Sequence, residues 1–194
     1  MKKLPVYKLK INEDKNSKLQ VEYIALVDNP AIELTWIAFN KQQRFSADKE
    51  RKIIMTPLMI ANLPIYRRDK ERGEYYVVFE KETIMAIIEK FAIKKFQSNI
   101  NIMHDENQIV EGVHLISNFW VDDTLGIKAP EAFKDVSQGS WIGLFKINND
   151  IIWNDFIKTG ILKGVSVEGI FAMGEMFISD EEILKDIAEI VRGK

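Results

Sequence analysis

Residues 162–178, LKGVSVEGIFAMGEMFI, decide how this chain folds. Apolar and polar residues alternate through GVSVEGI, the period of a half-buried strand. The run reads as one strand or as a bent pair of strands. Gly164 and Gly169 bracket its centre, where glycine permits a bulge or a close backbone approach. In a regular strand Ser166 and Glu168 point to the same face. A lone serine in a strand is usually no more than a small polar residue. A serine flanked by glycines, with a carboxylate two places on, also suits an exposed nucleophile.

Outward from this run, further extended segments appear. PVYKLKI (5–11), LQVEYIALV (19–27), IELTWIAF (32–39), YYVVFE (75–80) and GSWIGLFKI (139–147) read as strands. Pro57 and Pro64 keep the IIMTPLMI region extended. NINIMHDEN (99–107) reads as a short strand ending in His104, and QIVEGVHLISNFWVDD (108–123) as one long strand. Residues 40–52 are charged and read as an exposed loop. YRRDKERGE (66–74) reads as a charged turn.

The period changes in EKETIMAIIEKFAIKKF (80–96), where Ile84, Ile87, Ile88 and Phe91 fall at helical spacing. Thr83 or Glu80 can start this helix. NNDIIWNDFIKTG reads as a second helix, capped by Asn149 or Asp150 and ended by Gly160. SDEEILKDIAEIVRGK reads as a terminal helix over about 180–193, with Ser179 as N-cap. Eight or nine strands with three helices, not in regular alternation, argue for an α+β or barrel fold over a doubly wound sheet.

The chain has 194 residues, 46% of them apolar, which fits a single domain spanning 1–194. Its 27 basic and 29 acidic residues nearly cancel, so no broad positive field is available for a nucleic-acid backbone. There is no cysteine, which excludes disulfides, thiol catalysis and cysteine-ligated metals. No signal-peptide pattern follows the first lysines, and no run is long enough to span a membrane. The expectation is a soluble, intracellular protein. No glycine loop of the P-loop or dinucleotide type is present, and neither a metal nor an organic cofactor is indicated.

The chain has two histidines. His104 stands at a strand end, where functional groups are often displayed. His114 lies between Val113 and Leu115 and reads first as a packed or edge residue. A nucleophilic serine needs a base with a pKa near neutrality, and histidine supplies one. Ser166 and His104 are remote in sequence, so only the fold can join them. The third group that orients the imidazole is left among Glu22, Glu111, Glu168, Asp105 and His114.

The blocks YIALVDNPAI, GEYYVVFEKETI, NINIMHDEN, IVEGVHLISNFW and GSWIGLFKINNDIIWNDFIKTGILKGVSVEGIF, in that order, resemble the XkdF-like serine protease domain of tailed phages and prophages. This domain is related to the phage prohead, or capsid maturation, proteases. The resemblance covers roughly residues 19–172. It implies an assemblin-like α+β fold: a mostly antiparallel closed β-barrel ringed by about three helices. The early position of IALVDNPA admits a circular permutation. It implies a serine endopeptidase with Ser166 as nucleophile and His104 as general base. Glu22 is the first candidate for the third member, with Glu111, Glu168 and His114 behind it. Gly164 and Gly169 are candidates for the oxyanion site. Scaffold and major capsid proteins would be the substrates, inside the immature capsid in the host cytoplasm. No nucleic acid or membrane partner is expected, and a homo-oligomer stays open. The alternative is a catalytically quiet protease-like domain acting in capsid assembly.

Overall fold

The computed structural model describes residues 4–11, 18–28, 46–48 and 51–175. Twelve strands form among them. They are β1 (Val6–Lys10), β2 (Gln20–Val27), β3 (Ser46–Asp48), β4 (Ile53–Met59), β5 (Ile65–Asp69) and β6 (Gly73–Phe79). After α1 (Lys81–Lys94) come β7 (Ile100–Ile102), β8 (Asp105–Ile109), β9 (Val113–Trp120), β10 (Trp141–Ile147), β11 (Gly164–Ile170) and β12 (Ala172–Glu175).

The strands make three four-stranded sheets, in the orders β12-β1-β6-β5, β3-β4-β10-β9 and β11-β2-β7-β8. Most neighbours are antiparallel; β1–β6 and β2–β7 are parallel. The stretch 164–175 explains why no barrel closes among the described residues. Its alternation breaks at Phe171, so β11 pairs with β2 whereas β12 pairs with β1, in a different sheet. The expected closed barrel ringed by about three helices, and its permuted form, are therefore replaced by three open sheets around a common core.

The helix count also changes. Only α1 is an α-helix among the described residues. Its buried stripe, Ile84, Ile87, Ile88 and Phe91, follows the i, i+3, i+4, i+7 pattern that buries one face. It is capped at Glu80 and stops at Lys95, whose φ of 60° turns the chain out of the helix. The segment expected as a second helix is π-helical over Ile152–Ile157, with Lys158 N–H donating to Trp153 O at 3.0 Å. Trp153 is thereby turned into the core. Asn149 Oδ1 does accept from Ile152 N–H at 3.0 Å, as a cap should. The expected terminal helix over 180–193 and the strand at 32–39 lie outside the described residues.

Three local readings are also corrected. Residues 46–48 of the expected loop form β3 against β4. The charged turn at 66–74 is mostly a hairpin: β5 pairs with β6, with Asp69 opposite Gly73. Tyr66 and Arg67 thus belong to a strand, because Ile65, Arg67, Tyr75 and Val77 share one face of the pairing. The long strand at 108–123 is interrupted at Gly112, whose φ of 78° makes a turn between β8 and β9.

One hydrophobic core joins the three sheets and α1, with Ile24, Ile54, Val77, Ile84, Trp141 and Phe145 at its centre. Phe91 of α1 meets Trp141 edge to face, with centroids 5.3 Å apart. Full burial of each such side chain contributes about 1.5–3 kcal/mol. No helix among the described residues is long and apolar enough to cross a membrane.

Candidate active site

The site is built on the sheet β11-β2-β7-β8. Ser166 on β11 lies opposite Ala25 on β2, and Ala25 lies beside Asn101 on β7. Partners in register share a face, so Ser166, Ala25 and Asn101 point the same way. Ala25 is fully buried and small. Its short side chain lets groups from β11 and β7 meet above β2. Asn101 Nδ2 donates across it to Glu168 Oε2 at 3.0 Å. Asn101 is fully buried, and its Oδ1 has no hydrogen-bond partner. The bond from Nδ2 to Glu168 Oε2 holds the orientation of this amide.

His104 arrives from the turn that follows β7. Ile102 pairs with Asp105, which leaves Met103 and His104 as a two-residue hairpin turn. Their φ values are 54° and 62°. Positive φ at both central residues is the type I′ pattern, normally filled by Asn-Gly. Two ordinary L-residues hold it here. Asp105 steadies the other arm of the turn: Oδ1 accepts from Asn107 N–H at 3.0 Å and Oδ2 from Gln108 Nε2 at 2.7 Å. The Asn107 backbone N–H, with the Gln108 amide, holds the Asp105 carboxyl below its usual range.

The turn brings His104 Nδ1 to 3.4 Å from Glu168 Oε2, a long contact. Glu168 Oε2 therefore faces both Asn101 and His104. With Nδ1–H directed at the carboxylate, Nε2 is the basic nitrogen of the ring. His104, Ser166 and Glu168 all line one cavity of about 290 Å³. Its walls are Leu58 and Met59 of β4, Ile65 and Arg67 of β5, and Phe79, which meets Phe171 edge to face at 4.9 Å. Ser166 is 8% exposed, and that exposure opens on this cavity. No hydrogen bond joins Ser166 Oγ to His104.

The other sequence candidates lie elsewhere. Glu22 Oε1 accepts from Gln20 Nε2 at 2.8 Å, at a bulge where Tyr23 pairs with Glu168 and Val21 with Gly169. Glu111 is exposed in the turn before β9, with its backbone oxygen bonded to Asn149 Nδ2. His114 is on β9, in a different sheet, 3.4 Å from Ser98 Oγ. Gly169 has a structural reason: a Cβ there would lie 2.1 Å from Gln20 O. Gly164 opens β11 opposite Val27.

Two residues of the site were missed by the sequence reading. Asn101 is a polar residue between two isoleucines in a strand, INI, and that interruption was the available signal. Arg67 was hidden inside the run read as a charged turn.

Residues 60–175, more than half of the chain, match the family described as "Putative phage serine protease XkdF". The chain belongs to that family. The matched region contains Arg67, Asn101, His104, Ser166 and Glu168, and excludes Glu22. No match is found among curated proteins or solved structures.

Proposed function

We propose that this phage protein is a serine endopeptidase with Ser166 as nucleophile, His104 as general base and Glu168 as the group that orients the base. The observation that carries the reading is the shared cavity: a serine, an imidazole and a carboxylate from β11 and the β7–β8 turn converge on one space.

In the proposed reaction Ser166 Oγ attacks the carbonyl carbon of a peptide bond, and its proton passes to His104 Nε2. The C–N bond then breaks and that proton goes to the leaving amine. Water repeats the sequence on the acyl-enzyme and releases Ser166. Glu168 stabilises the imidazolium that exists between these transfers. β11 pairs with β2 on one side only among the described residues. Its outward N–H groups, with those near Gly164 and Gly169, are the proposed donors to the oxyanion. His104 is exposed on a two-residue turn and lines the same cavity as Ser166; catalytic hydrogen bonds commonly tighten only when substrate binds. Glu168 is the proposed third member in preference to Glu22, because its Oε2 is the one that lies 3.4 Å from His104 Nδ1.

The proposed substrates are scaffold and major capsid proteins, cleaved within the immature capsid in the host cytoplasm. The test is co-expression with the neighbouring capsid and scaffold genes, comparing wild type with Ser166→Ala. Defined cleavage products are expected only with the serine. Identical products in both would overturn the reading.

A second reading is a catalytically quiet domain of the same family that acts in assembly. The missing Ser166–His104 hydrogen bond favours it. Capsids that assemble equally well, uncleaved, with either protein would support it.

A further inference from the structure

Arg67 has no role in the chemistry described above, yet it lines the cavity that holds Ser166, His104 and Glu168. It stands on β5, the outer strand of its sheet, opposite Tyr75 of β6. Ile65, two places earlier, lines the same cavity.

Its surroundings are unusual for an arginine. Arg67 is half-buried, and its one hydrogen bond among the described residues is from Nη1 to the neighbouring backbone oxygen, Tyr66 O, at 2.9 Å. No carboxylate among the described residues pairs with it. Asp69, on the same strand, is already taken: it accepts from Glu71 N–H, Arg72 N–H, Arg72 Nη1 and Tyr75 OH. Burial pulls the Arg67 pKa below the usual arginine range, and the nearby Tyr75 hydroxyl opposes that only in part. A guanidinium has five N–H donors in a planar fork matched to a carboxylate. Among the described residues, four of them have no protein acceptor. A partly desolvated cation without a counter-charge is costly unless a ligand supplies one.

We infer that Arg67 selects substrate: it receives the carboxylate of an Asp or Glu side chain close to the scissile bond. The inference rests on the serine protease reading of the same cavity. The apolar walls, Leu58, Met59, Ile65 and Phe79, would then hold the aliphatic part of the same or a neighbouring side chain. The occupant is an acidic peptide segment in extended form, because β5 and β11 both present outer edges to the cavity.

The experiment uses the full chain and a mixed peptide library made by digesting a bacterial proteome. Cleavage sites are read by mass spectrometry for wild type, Ser166→Ala, Arg67→Gln and Arg67→Glu. Sites lost in Ser166→Ala define the true cleavages. Among these, Asp and Glu are expected to be enriched at least tenfold at one position within three residues of the cut. Arg67→Gln should erase the enrichment, and Arg67→Glu should shift it toward Lys and Arg at that position. Serine-dependent cleavage with no acidic preference, or with the same preference in Arg67→Gln, overturns the role of Arg67 and leaves the protease reading intact. Cleavage that never depends on Ser166 overturns both. A loss of rate in Arg67→Gln that is equal for acidic and neutral sites makes Arg67 a structural residue and also overturns the inference.

Discussion

At Met103 and His104 the backbone takes a conformation that costs an L-residue about 1–2 kcal/mol per position. Glycine or asparagine would relieve that cost, and neither is present. Strain of this kind persists where the surrounding structure or a function demands it. The turn delivers His104 to Glu168, and the proposed peptidase role would account for the strain. Met103 is exposed and touches no part of the proposed reaction. Met103→Asn should therefore stabilise the fold by about 1 kcal/mol and keep peptidase activity. His104→Gly should stabilise by a similar amount and abolish activity. Urea denaturation and a peptide-cleavage assay on both variants check the pair. A destabilised His104→Gly would show that the turn is held by packing of the ring. Ser166 and His104 stood out in the sequence as candidates because histidine is scarce and the serine sits between glycines. Glu168 was legible as the same-face neighbour of Ser166. What could not be read was which carboxylate meets the imidazole. That depends on the β2–β7 register and on a small Ala25 between the two reaching side chains.

At the scale of elements, two hairpins carry Arg67 and His104, and carboxylates hold both turns. Asp69 closes the β5–β6 turn, and its carboxyl lies below the usual range chiefly because the Arg72 backbone N–H bonds it. Asp105 does the same beside His104. A carboxylate whose folded-state pKa is depressed adds stability above its unfolded pKa, and loses it as pH falls through the folded value. The contribution is thus complete above about pH 4 and disappears below it. The urea midpoint should stay flat from pH 7 to pH 5 on this account and fall steeply below pH 4. Asp69→Asn should lower the midpoint at pH 7 and flatten that acid limb. Acid limbs of equal slope would mean that other groups govern acid unfolding. The hairpins also mark where sequence reading failed. β5 and β8 are short, and their turns lack the Asn-Gly or Asp-Gly pair that usually announces a hairpin. Lys, Arg and Glu in KERG and Met-His in NIMHDEN conceal the turns. The helix α1, with its repeated apolar stripe, and the strands β2 and β10 were legible because their periods are uninterrupted.

For the whole molecule, the break at Phe171 decides the architecture. One continuous strand would have fed a closed sheet. Two strands in separate sheets instead leave β11 and β5 as outer strands beside a common cavity. The closed barrel was expected from the family resemblance; alternation along a sequence fixes which face is buried but not which sheet a strand joins, so it could not correct that expectation. On the proposed function, this openness would let a peptide enter between two strand edges. The central claim is that the cavity activates Ser166 through His104. It is tested most directly by treating the purified chain with a fluorophosphonate and following the adduct by mass spectrometry. Attack by Ser166 Oγ displaces fluoride and leaves one phosphonyl group on that serine. The account predicts a single adduct on Ser166, none in Ser166→Ala, and labelling slowed about 10²–10⁴-fold in His104→Ala. Labelling of Ser166 at the same rate with and without His104, or no labelling of Ser166 at all, would contradict it.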